Sequence, residues 1–112
     1  MVPLDTGRYV ITNRKYQNVP ILPDANDQTD IVAGTQEGEP SELWNINLLS
    51  NGSYKIQNYG HGSFANSEYN TRASPGDGVV GGTRPQQWKI IEMTTKGDYW
   101  CVYSTMSIFF VH

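Results

Sequence analysis

Asp5-Thr6-Gly7 carries the triplet in which aspartic proteases hold a catalytic carboxylate. That chemistry needs two such carboxylates brought together to share one proton. Only four residues precede Asp5, and Gly7 belongs to a repeat whose other copies lack Asp-Thr, so the triplet reads as a turn into a first strand. The run Asp24-Ala25-Asn26-Asp27-Gln28-Thr29-Asp30 is the densest acidic stretch. A calcium loop of the EF-hand kind wants Gly at its sixth place and Glu at its twelfth. Thr29 and Thr35 stand there, so a solvated hairpin loop is expected, with a weak divalent site as the alternative. His61 and His112 have no Cys, His or Glu partner at zinc spacing. Cys101 lies in an alternating apolar run and is expected in the core rather than as a nucleophile. No nucleophile elbow, phosphate loop or dinucleotide fingerprint occurs. No enzyme activity, cofactor or metal is therefore expected.

What remains is recognition. A sugar needs an aromatic face for the C–H side of its ring and fixed polar groups for its hydroxyls, because a hydroxyl buried without a partner costs about 1–3 kcal/mol. One segment mixes these types: Asn66, Glu68, Tyr69, Asn70 and Arg72, with Tyr59 and His61 on the turn before it. A second offers Asp24, Asn26 and Asp27, with Tyr16 nearby. The competing reading of both is an ordinary polar turn.

Composition narrows the partners. Charged residues make up 17% of the 112, and the formal net charge is −3. There is no Lys/Arg run, so neither nucleic acid nor an anionic membrane surface is an expected partner. No stretch of about 18 apolar residues is present, so no membrane insertion is expected. Met1-Val2-Pro3-Leu4-Asp5 lacks the basic and apolar regions of a signal peptide. A single cysteine excludes an internal disulfide framework. A cytoplasmic protein is the expectation, or one whose leader has been removed. Asn51-Gly52-Ser53 fits a glycosylation sequon, a match common by chance.

The elements that must position these residues show a period. Gly7-Arg8-Tyr9-Val10-Ile11-Thr12-Asn13, Gly52-Ser53-Tyr54-Lys55-Ile56-Gln57-Asn58 and Gly97-Asp98-Tyr99-Trp100-Cys101-Val102-Tyr103 align, with their first tyrosines 45 residues apart each time. Trp44 and Trp88 close the first two units, and this fixed place makes them expected core plugs. Short apolar stretches lie between the markers: 19–22 and 31–33 in unit one, 63–65 and 79–80 in unit two. Gly, Pro, Asn and Asp punctuate the gaps, and Asn51-Gly52 between apolar runs signals a hairpin. Each unit reads as four short strands, and no helical period is sustained. A unit this small cannot bury its own apolar face, so it packs against its copies. Closing the sheet removes its edges. The expectation is an all-β barrel of repeated four-stranded units in a single domain over 1–112, with units at about 7–51, 52–96 and 97–112.

Gly-x-Tyr-x-Ile-x-Asn opening a unit, with Gln86-Gln87-Trp88 closing one and Glu42-Leu43-Trp44 as a second copy, resembles the ricin-B-like β-trefoil lectins. The likeness is greater to the mushroom members without disulfides, and mushroom β-trefoil protease inhibitors look similar. The resemblance implies a β-trefoil and, for the lectins, non-catalytic binding of glycans or glycoproteins in a fungal, defence-type setting. It further implies a sugar site near the second and third strands of each unit, using an Asp after a Val-Leu pair and an aromatic. Here Ile21-Leu22 is followed by Pro23 and then Asp24, and unit two has Ala65-Asn66. The alternative function is protease inhibition, through a loop at 24–30 or 71–78, with Arg72 suited to a trypsin-like pocket. Unit three begins at Gly97 and reaches only His112, so two of its strands are expected to be missing. Either a second copy completes it, as a homodimer, or the barrel stays open. The apolar run 107–112 is expected either as a barrel strand or as an aggregation-prone edge.

Overall fold

The computed structural model describes residues 4–12, 17–67, 78–92, 99–103 and 110–111. Ten strands follow in order: β1 (Gly7–Val10), β2 (Val19–Ile21), β3 (Val32–Gly34), β4 (Leu43–Leu48), β5 (Tyr54–Asn58), β6 (Phe64–Ser67), β7 (Val79–Gly82), β8 (Trp88–Glu92), β9 (Tyr99–Tyr103) and β10 (Phe110–Val111). A 3-10 turn, Pro40–Glu42, precedes β4. Strands form where large and polar residues alternate. In β5 the side chains of Tyr54, Ile56 and Asn58 go inward, while Lys55 and Gln57 face out. The 49–53 loop joins β4 to β5. Gly52 takes φ +85 there, and Asn51 Oδ1 accepts the Ser53 N–H, so Asn-Gly makes the expected turn.

The main sheet runs β1-β4-β5-β8-β9-β10, with β6 on β5 and β7 on β6, and β2 pairs β3 in a second sheet. All these pairings are antiparallel. Among the described residues β1 and β10 are not paired with each other. The apolar run near the end of the chain contributes β10, whose Phe110 is opposite Cys101 in β9.

The period seen in the sequence recurs as register. Tyr9 faces Trp44 across β1 and β4, and Tyr54 faces Trp88 across β5 and β8. Ile46 pairs Ile56, and Ile90 pairs Cys101, so Cys101 holds in β9 the ladder position that Ile56 holds in β5. The two tryptophans make the same bond. Trp44 Nε1 donates to Pro20 O at 3.1 Å, and Trp88 Nε1 donates to Ala65 O at 2.9 Å. Both are fully buried in a core with Leu22, Ile46, Tyr54, Ile56, Ala65 and Val79, as their place in the repeat predicts. Each indole is thus held at both ends, by apolar packing and by its one donor.

Glu42 and Gln86 stand two residues before these tryptophans, and their chemistry differs. Glu42 is buried, yet its carboxylate accepts the backbone N–H groups of Glu37 (2.8 Å), Gly38 (3.2 Å) and Glu39 (3.2 Å). Burial pushes its pKa up, but the hydrogen bonds from Glu37, Glu39 and Gly38 outweigh it, and the net shift is down. Gln86 accepts the Ser67 N–H at Oε1, and its buried Nε2 has no partner among the described residues. A depressed folded-state pKa gives stability that is present above the unfolded value and lost as pH falls through the folded one. Glu42→Gln should therefore weaken the fold at neutral pH, since an amide cannot accept at both positions. The gap between the two proteins should close as urea titrations are taken to progressively more acid pH. A gap that stays constant with pH would mean that the charge of Glu42 contributes nothing.

Candidate functional site

Apart from Asn66, two connections carry the described candidate residues: the loop 22–31 between β2 and β3, and the turn 59–63 between β5 and β6. The first is fastened along β7. Gln28 N donates to Gly81 O, Gly81 N to Thr29 O, and Ile31 N to Val79 O, all at 2.8–2.9 Å, and Asp30 forms a bridge with Val80. A loop of unit one is thereby laid against a strand of unit two, while its tip from Ala25 to Gln28 stays exposed.

Within this loop Asp24 is half-buried and held by one oxygen. Its Oδ1 accepts the Asn26 N–H at 2.9 Å and the Thr29 hydroxyl at 2.6 Å. Oδ2 has no hydrogen-bond partner among the described residues. The Thr29 hydroxyl, then the Asn26 N–H, hold its carboxyl below the usual 3.8, and the charge of His61 adds a smaller contribution. Asp24 is thus an oriented, ionised acceptor with one oxygen to offer. His61 comes from the second connection. Its N–H donates to Asn58 Oδ1 at 2.9 Å, and the buried Asn58 also donates from Nδ2 to Ser41 O. Asn58 pins the turn to the 3-10 segment, which sets where His61 stands.

The remaining candidates are placed differently. Asn26 and Asp27 lie on the exposed tip. Tyr59 is exposed, but the Arg8 guanidinium sits 3.7 Å from its ring centre and occupies one face. Asn66 is a residue of β6 rather than of a loop, opposite Val80 and buried, and its Oδ1 has no partner among the described residues. Its amide lies over Gly82, where a Cβ would meet Nδ2 at 1.9 Å. In unit one Ile21 lies over Gly34 in the same way, so Asn66 is a polar group in a slot shaped for an aliphatic one. Glu68, Tyr69, Asn70, Arg72, Tyr16 and His112 lie outside the described residues.

The structure brings Asp24, Asn26 and His61 into one neighbourhood and leaves Tyr59 and Asn66 in other settings. Sequence reasoning missed Thr29, Asn58 and Arg8. Thr29 was legible in part, as a hydroxyl five residues after an Asp in a turn-rich loop. Arg8 is remote in sequence from Tyr59, and no local signal joins them. Among the described residues no three His, Cys, Asp or Glu side chains group as metal ligands, and no helix is long and apolar enough to cross a membrane.

No protein-family model matches the chain, and no curated protein matches it in sequence. Solved structures do resemble it. The Rhizoctonia solani agglutinin matches with a TM-score of 0.81 at 19% identity, over 96% of this chain and 75% of its own. A Macrolepiota procera ricin B-like lectin, solved in complex with lactose, matches at 0.74 and 20%, over 90% and 70%. ThreeFoil, a designed three-fold symmetric protein, matches at 0.75 and 22%, over 85% and 71%. The recurring Tyr–Trp register, the all-β topology and these likenesses agree: the chain has the β-trefoil fold seen in ricin-B-like lectins of fungi.

Proposed function

We propose that the chain is a carbohydrate-binding lectin that recognises glycans without covalent chemistry. The observation that carries this reading is Asp24, whose Oδ1 is tied down while Oδ2 is left to accept a sugar hydroxyl. A preoriented acceptor loses little freedom on binding, and charged acceptors make the stronger hydrogen bonds. Asn26 and His61 flank it as further polar contacts. Glu68, Tyr69, Asn70 and Arg72 are proposed as contacts of a second site in unit two. The resemblance to an agglutinin and to a lactose-bound lectin supports the same reading.

A glycan array tests it. The wild-type chain should bind a defined set of glycans, and Asp24→Asn should reduce that signal about tenfold, the size expected for one charge-assisted hydrogen bond. Asparagine preserves the shape of Asp24 but replaces the unengaged acceptor with a donor. Binding should persist below the ordinary Asp value of 3.8 and fade as pH drops through the lowered one. A silent array, together with trypsin inhibition that Arg72→Ala removes, would assign the scaffold to protease inhibition instead.

A further inference from the structure

Arg8 is the most organised exposed cation among the described residues, and neither the repeat nor the Asp24 loop accounts for it. Its guanidinium lies 3.7 Å from the centre of the Tyr59 ring, and its Nε donates to Asn45 Oδ1 at 3.3 Å. Those two contacts fix the plane of the group from one face and one edge. The Nη edge, with its forked pair of donors, has no partner among the described residues. Arg8, Asn45 and Gln57 are consecutive register partners across β1, β4 and β5, so they form one row on the outer wall. Gln57 donates to Gly62 O from Nε2, and among the described residues its Oε1 has no partner, nor does Asn45 Nδ2. The three strands contain Arg8 and Lys55 and no Asp or Glu, although the chain as a whole carries −3. This wall is a local basic surface on an acidic protein.

From this we infer a further binding site, separate from the Asp24 loop and from unit two's candidate segment, for a carboxylated sugar of the hexuronate class, on the wall formed by β1, β4 and β5. The carboxylate takes the two Nη donors of Arg8 in the bidentate geometry that a planar guanidinium matches. Hydroxyls of the same ring take Asn45 Nδ2 and Gln57 Oε1, one donor and one acceptor. Tyr59 acts on the ligand through Arg8, by holding the guanidinium flat. The site goes beyond the Asp24 reading and does not rest on it.

The test is a titration of the full chain followed by 1H–15N NMR, with glucuronic acid, glucose, acetate and sulfate at matched ionic strength. Glucuronic acid should move the Arg8 Nε–H and Tyr59 amide signals saturably, and the other three should bind at least about tenfold more weakly. Arg8→Ala should abolish the response. Arg8→Lys should weaken it about tenfold although the charge is kept, because an ammonium cannot form the two-pronged contact. Lys89→Ala, which removes an exposed cation on β8, should leave it unchanged. Far-UV spectra and urea midpoints show that each variant is folded. Equal shifts from acetate or sulfate would reduce the site to a generic anion contact and overturn the assignment. So would unchanged glucuronate binding in Arg8→Ala.

Discussion

Replacing Trp88 with alanine should cost about 3–5 kcal/mol of folding stability, the range for deleting a buried aromatic from a core. Trp88 is 0% exposed and stands opposite both Tyr54 in β5 and Tyr103 in β9. Its removal leaves a cavity where two strand pairings meet, and it strips Ala65 O of its donor. Domains of this size have about 5–15 kcal/mol in total, so Trp88→Ala should remove a large share of it and lower the urea midpoint in proportion. Trp88→Phe keeps most of the ring but loses the Nε1–H bond, and should cost less, about 1–3 kcal/mol. Trp44→Ala should behave like Trp88→Ala, because Trp44 is 1% exposed and makes the matching bond to Pro20 O. A loss below about 1 kcal/mol in either alanine variant would contradict the plug role. The measurement is a pair of urea titrations compared by midpoint and slope, since a changed slope would report a changed denatured state instead.

Gly60→Ala should be the most damaging small substitution on the surface. A methyl group there would lie 2.9 Å from Pro40 C and 2.9 Å from Ser41 N, both backbone atoms of the 3-10 turn. Backbone cannot rotate away as a side chain can, so the two segments must separate. Overpacking of this kind costs about 1–3 kcal/mol. The separation strains the Asn58 Nδ2–Ser41 O bond, which holds the same two segments together. It also moves the turn that carries Tyr59 and His61, so ligand binding should fall along with the urea midpoint. Gly62→Ala is the comparison. Gly62 has φ +77 with no atom within 4 Å of the added carbon, so its cost is backbone strain of about 1 kcal/mol without a clash. Equal midpoints for Gly60→Ala and wild type would show that the 3-10 turn yields freely.

Much of the fold was legible because each strand depends on local alternation. Tyr54-Lys55-Ile56-Gln57-Asn58 reads as a half-buried strand and is one, and the strand expected at 19–22 was found at Val19–Ile21. The spacing of the tyrosines and of Trp44 and Trp88 pointed to copies packed alike, and the same Tyr–Trp register appears twice. Less of the site could be read in advance. Asn66 looked like a loop acceptor because its neighbours are polar, but it extends β6 and is buried over Gly82. Tyr59 looked like an open platform, but Arg8 covers one face.

Residue order therefore accounts for strand positions, the Asn-Gly turn, the internal period and the two core tryptophans, since each follows from the side chain itself and its near neighbours. It does not account for the Asp24 loop lying along β7 or for Arg8 resting on Tyr59. Those contacts join residues tens of positions apart. They arise when repeated sheets turn about a common axis, and they depend on register and twist summed over several strands, which no short stretch of chain encodes.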